Sequence, residues 1–228
     1  MDKLITISHV CSLGNVCQSS KILKDIGFKK ESYPFDWIFS SPANIINILE
    51  DDFTLFLNKE LYVNMYSRRF GKHRLDYSKC GHKIYHNKMF FHHNPKDKEN
   101  DYNYFIRCVN RFRQLLKKES NKLFVITFNN ITEDLENIKK QIIELNNYMS
   151  TKTSNYYIFV ICHIPNQKIL KFDILDIDNI KFLFLYTKSH SNGIKLMDSK
   201  ENEFLKNLLL KSYSFQIEKL DNTHPNLI

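Results

Sequence analysis

Leu123-Phe124-Val125-Ile126-Thr127-Phe128, then Leu135, Ile138, Ile142, Leu145 and Met149, then Tyr156-Tyr157-Ile158-Phe159-Val160-Ile161-Cys162: this stretch decides the fold. A short run that is apolar at nearly every position belongs to a strand covered on both faces. The stripe between the two runs recurs every three or four residues, the period of one helix face. Strand, helix and strand in that order predict neighbouring parallel strands in a layered α/β domain.

Working outward, Phe182–Tyr186 repeats the buried-strand character, 201–210 reads as a helix, and Tyr213, Phe215 and Ile217 alternate like an edge strand. Toward the N-terminus, Lys3–Ser8 reads as a strand and Val16–Ile26 as a helix stopped by Gly27. Ser40-Ser41-Pro42 is a helix start, Ser at the cap and Pro at the first position, followed by one apolar face of Ile45, Leu49, Phe53 and Phe56. Residues 58–82 read as an irregular exposed excursion and Ile84–Phe91 as a strand. A helix over 101–118 carries Tyr102, Phe105, Val109, Phe112 and Leu116, and the next starts at Thr132, with Glu133 and Asp134 in its first turn. The expectation is a single domain over 1–228 with a mostly parallel central sheet flanked by helices.

Composition narrows the class. The 228 residues are 43% hydrophobic and 14% aromatic, which excludes disorder for the bulk of the chain. No apolar run reaches the ~18 residues of a membrane-spanning helix, so no membrane partner is expected. Residues 1–9 turn polar too soon for a signal peptide, and five cysteines without framework spacing read as free thiols. A cytoplasmic location follows as an expectation, in a host if the chain is viral. Scarce Gly and Pro beside abundant Asn, Lys, Ile, Phe and Tyr fit an A/T-rich genome, which also accounts for part of the net charge of +8.

Three segments carry chemistry. In Ser12-Leu13-Gly14-Asn15-Val16-Cys17, an Asn15 cap would place Cys17 in the first helical turn, where backbone N–H groups and the helix dipole favour a thiolate. Backbone amides around Gly14, Asn15 and Val16 would then stabilise an oxyanion; a small cysteine packing helix on sheet is the plain alternative. Ser32-Tyr33-Pro34-Phe35-Asp36-Trp37-Ile38-Phe39-Ser40 holds the only Trp beside an acid in an apolar setting. If buried, Asp36 must be paired: it either orients a catalytic His or caps the turn near Trp37. Phe91-His92-His93-Asn94 places two imidazoles at the end of a predicted strand, where open parallel sheets gather functional groups. Either could serve Cys17 as base, or both could face solvent.

Together these segments resemble a family of uncharacterised bacterial and viral proteins described as papain-like cysteine peptidases. The resemblance rests on the S-L-G-x-x-C turn, on Tyr33–Trp37 with Ser40, and on Phe91–Asn94, and extends weakly through Arg107 and Arg111 to Phe124. It implies a Cys/His site with Cys17 as nucleophile and a His as base. Two histidines and an Asn stand where the family has one His followed by an acid. His93 is the favoured match, because Asn94 then occupies the acid's place. The resemblance also implies, as an alternative fold, a papain-like α+β arrangement with the nucleophile helix on an antiparallel sheet.

The resulting expectation is a cysteine hydrolase or acyl transferase acting on a protein, peptide or small amide or ester. Cys17 attacks, His93 or His92 carries the proton, Asp36 orients the imidazole, and Arg107 and Arg111 contact an anionic part of the substrate. No cofactor is expected. Cys80, His82, His86, His92 and His93 lie close in sequence but lack a C-x-x-C, so no metal is expected either. Two non-enzymatic readings stand beside this one. In the first, Arg68, Arg69, Lys72 and Arg74, interleaved with Tyr62, Tyr66, Phe70 and Tyr77, bind an anionic partner such as nucleic acid. In the second, the fold is a catalytically silent interaction module.

Overall fold

The computed structural model describes residues 4–69, 72–132 and 134–220, and for 67–69 and 72–74 the backbone alone. Five strands form the main sheet: β2 (His9–Gly14), β6 (Lys122–Phe128), β7 (Tyr156–Ile164), β8 (Lys171–Ile177) and β9 (Ile180–Tyr186), in the order β2-β6-β7-β9-β8. The first four in that order are parallel, while β8 runs antiparallel to β9 along one edge. The sheet is therefore mixed, and parallel only in its larger part.

Alternation along the central strands divides the core. Phe124, Ile126, Ile158, Val160 and Phe182 face one side, with Phe105, Val109 and Phe112 of α3 (Glu99–Leu116) and Ile138, Ile142 and Leu145 of α4 (Leu135–Met149). Leu123, Val125, Phe159, Ile161 and Leu183 face the other, with Ile22 and Leu23 of α1 (Gln18–Asp25) and Leu205 and Leu209 of α5 (Ser199–Ser212). Burial on both faces explains why these strands read as continuous apolar runs. Helices on both faces of this sheet bear out the α/β class, while the antiparallel β8 means that the expected parallel sheet holds only in part.

α2 (Pro42–Glu50) starts as its sequence dictates: the Ser41 side chain accepts the Asn44 N–H at 3.2 Å, with Pro at the first turn. Elsewhere the structure departs from the reading. The N-terminal strand of the main sheet is His9–Gly14, buried at every position, while Thr6–Ile7 (β1) pairs instead with Ser214–Phe215 (β10). Polar His9 and Ser12 had masked this strand. Within 58–82 the described residues are regular: a short 3₁₀ turn leads into the antiparallel pair of β3 (Tyr62–Arg69) and β4 (Lys72–His82). β5 (His86–Phe90) adds antiparallel to β4, so the strand before the two histidines belongs to this small sheet and not to the main one. β8 was not foreseen, because as an edge strand it leaves Phe172 and Ile174 exposed. Among the described residues no helix is long and apolar enough to cross a membrane.

Phe112 centres an aromatic cluster, its ring centroid lying 6.4, 5.5, 5.9 and 6.2 Å from Tyr33, Phe35, Phe53 and Phe124. It joins α3 to the sheet and to the Tyr33–Ser40 segment. Phe112→Ala is expected to destabilise by about 3–5 kcal/mol in urea unfolding. A loss below about 1 kcal/mol would mean the cluster collapses around the gap.

Candidate active site

β2 ends at Gly14 with φ +76°, and Asn15 follows at φ +66°, so the chain turns sharply at the carboxyl edge of the sheet. The Ser40 hydroxyl seats this turn, donating to the Leu13 carbonyl at 3.1 Å and accepting the Asn15 N–H at 2.9 Å. A Cβ on Gly14 would lie 2.7 Å from both the Phe35 carbonyl and Ser40 Oγ, so the position takes glycine for its conformation and for its space. The S-L-G-x-x-C and Y-P-F-D-W-x-x-S segments are thus two halves of one structure. On the far side, Asn15 Nδ2 donates to the Thr127 carbonyl at 2.9 Å, and Ser19 Oγ to Thr127 Oγ1 at 2.8 Å.

Asn15 does not cap α1; Cys17 occupies the cap position. It is 4% exposed, and burial pushes its thiol up to about 11. On the order of one molecule in 10⁴ would hold a thiolate at pH 7. The helix-terminus benefit expected from sequence is outweighed by desolvation. Among the described residues no hydrogen bond links Cys17 to either histidine.

His93 Nδ1 lies 3.3 Å from Asp101 Oδ1, and its ring stacks on Tyr104 at 4.7 Å. Asp101 is the carboxylate the sequence reading missed. Its only signal is its place in the first turn of α3, eight residues beyond His93. Asn94, matched to the family's acid, is instead a buried turn residue, its Nδ2 donating to the Tyr77 carbonyl and to Asp97 Oδ2. His92 is exposed and meets Trp37 edge-on at 6.3 Å. Partial desolvation, then His93 and Lys79, push its pKa down, so it is neutral near pH 7.

Asp36 is fully buried and touches neither histidine. Its carboxylate pairs with Lys29 and accepts the Tyr33 N–H at 2.7 Å. Burial pushes the carboxyl up, and the Lys29 ammonium pulls it back. The carboxylate beside a histidine of the pair is Asp101, not Asp36. Arg107 is exposed on α3, whereas Arg111, one turn on, lines a cavity with Trp37. The side chains of Arg68, Arg69, Lys72 and Arg74 lie outside the described ones, and with them the test of that anionic surface. Among the described residues no three metal-ligating side chains converge; His82 Nδ1 accepts backbone N–H groups from Ile84 and Tyr85.

Beside Asn15 a cavity of about 270 Å³ opens at the carboxyl edge of the sheet, walled by Asn15, Ser41, Phe128, Asn129, Asn130 and Gln141. Both polar atoms of the Asn129 amide are buried without a partner among the described residues. Behind it a polar network braces the edge. Asn130 exchanges two hydrogen bonds of 2.8 Å with the Ser191 backbone, and Ser191 Oγ donates to Gln18 Oε1 at 2.6 Å. His163 Nδ1 accepts the Asn130 N–H, so Nε2 carries the proton and donates to Thr187 Oγ1 at 2.7 Å.

An α/β sheet with a cysteine at the helix start beyond its edge strand defines a candidate thiol site. Residues 8–166 match the model of the family described as putative papain-like cysteine peptidase (DUF1796), and the chain belongs to that family. Searches of curated proteins and of solved structures returned no match.

Two outcomes follow. Gly14→Ala should disrupt the Ser40 seat and lower the thermal midpoint by several degrees, whereas Gly27→Ala, also at positive φ (+78°) but with open space around it, should cost only the backbone strain and so less. Burial also holds the His163 pKa down at about 4, from 6.5. Between those values the unfolded chain binds the extra proton, so stability falls as pH drops through this window, by up to about 3 kcal/mol. His163→Gln should flatten that part of the stability–pH curve in chemical denaturation; an unchanged slope would assign the acid sensitivity elsewhere.

Proposed function

We propose that the chain is a thiol-dependent hydrolase or acyl transferase with Cys17 as nucleophile. One observation carries the reading: in a member of this family, Cys17 sits at the start of α1, beyond the carboxyl end of β2, and the turn leading to it borders a polar cavity. Attack on a carbonyl needs the thiolate, so the thiol described above is a protonated, resting nucleophile. The His93–Asp101 pair supports His93 as the base, with Asp101 orienting it; His92, neutral and exposed, is the alternative. In this reading substrate binding brings imidazole and thiol together. The Gly14 and Asn15 N–H groups are spent on the Ser12 and Ser40 hydroxyls, which leaves the Val16 N–H as the oxyanion donor of the turn. Peptide, isopeptide, amide and thioester bonds all suit such a site.

A second reading, a silent binding module, is favoured by the burial of Cys17 and its missing imidazole partner. Peptide-level mass spectrometry of native protein with an electrophilic peptide probe separates the two. The enzyme reading expects labelling of Cys17 at neutral pH, slowed at least tenfold by His93→Ala or Asp101→Asn. Labelling of Cys17 only on unfolding, or indifference to both histidines and to Asp101, would leave the silent module standing.

A further inference from the structure

A second cavity, about 380 Å³, lies away from the Asn15 turn. It is lined by Lys24, Lys29, Lys30, Arg111, Glu31 and Trp37, with Ser32. Three separate parts of the chain build it: the last turn of α1, the segment that follows, and the middle of α3. Lys29 is neutralised by Asp36. Among the described residues Lys24, Lys30 and Arg111 form no ion pair and no side-chain hydrogen bond, and they face one carboxylate, Glu31. That carboxylate is itself occupied, its Oε1 accepting the Leu220 N–H at 3.2 Å.

Lys24 complements the carboxyl end of α1, but Arg111 stands mid-helix and Lys30 in a loop, where no helix dipole asks for a cation. Cations gathered in a concavity repel one another, an arrangement that an anion relieves. A guanidinium offers a planar fork for phosphate oxygens, and an ammonium beside it adds a mobile point charge. Trp37 gives the cavity one apolar, planar wall.

We propose that this cleft binds a small phosphate-bearing molecule, its phosphate held by Arg111 with Lys30 and Lys24 and its non-phosphate portion lying against Trp37. The site does not depend on the thiol chemistry proposed above. Glu31 opposes the ligand's charge and holds back its affinity.

Trp37 is the only tryptophan of the chain, so intrinsic fluorescence reports on the cleft directly. The full chain is titrated at constant ionic strength with inorganic phosphate, pyrophosphate and phenyl phosphate, and with sodium chloride as control. Saturable changes are expected with the phosphates, phenyl phosphate binding more tightly than inorganic phosphate, and none with chloride. Arg111→Gln should weaken binding about tenfold or more, Arg111→Lys less, and Lys152→Gln not at all. Glu31→Gln should tighten it severalfold, a sign that general loss of structure cannot imitate. Non-saturable responses, equal responses to chloride, or affinity indifferent to both Arg111 variants would overturn the proposal. So would an oligonucleotide that binds with a steep salt slope while the small phosphates do not saturate.

Discussion

The Ser40 hydroxyl, held between the Leu13 carbonyl and the Asn15 amide, is the contact on which the working edge of this molecule depends. β2 is the outer strand of the main sheet and pairs only with β6 there. An uncovered edge is a hazard, and the Tyr33–Ser40 segment closes against its carboxyl end. That segment is fixed in turn by the buried Asp36–Lys29 pair and by the edge-on contacts of Tyr33 and Phe35 with Phe112. Taking away one ionic partner would leave the other charge stranded in apolar surroundings, a far larger cost than an exposed pair represents.

How legible was this in the residues alone? The two-sided strands β6, β7 and β9 were plain, because apolar side chains at successive positions admit no other arrangement. α2 was plain from its cap and α4 from its periodicity, although the α4 cap is Asp134, two residues past the Thr132 read as its start. β2 was not, since His9 and Ser12 interrupt the apolar run and their burial is visible only in three dimensions. Of the small sheet, β5 was legible as the run ending at Phe91, whereas β3 and β4 were hidden by polar side chains on a ladder whose stability comes from pairing, not from burial on both faces. At the site, Cys17, Gly14, Asp36 and the histidine pair were identified as notable residues, but their partners were not. Which acid meets His93 is settled by the packing of α3 behind Tyr104, a tertiary matter that no local pattern encodes.

Membership of a papain-like cysteine peptidase family and an open, mostly parallel sheet are compatible once site and scaffold are considered separately. The Ser12–Cys17 turn and the Tyr33–Ser40 segment sit in loops and a helix start around β2, while the rest of the sheet serves as their foundation. The thiol in its present surroundings is protonated because it is dry, the same condition that would strengthen any charge interaction once a substrate displaced the local packing. A buried, protonated thiol of this kind does not react indiscriminately with oxidants or small electrophiles.

The two-stranded ladder of β1 with β10 has a temporal meaning. Thr6 pairs with Ser214 and Ile7 with Phe215, Glu218 donates to the Ser8 carbonyl, and Leu220 reaches Glu31. Thr6–Ile7 therefore waits for Ser214–Phe215, far along the chain, before its hydrogen bonds are complete. β2 likewise waits for β6, across the whole small sheet and α3. Such long-range closure makes folding slow. Until β6 has paired with β2, Cys17 has no sheet to bury it, and its thiol stands open to solvent.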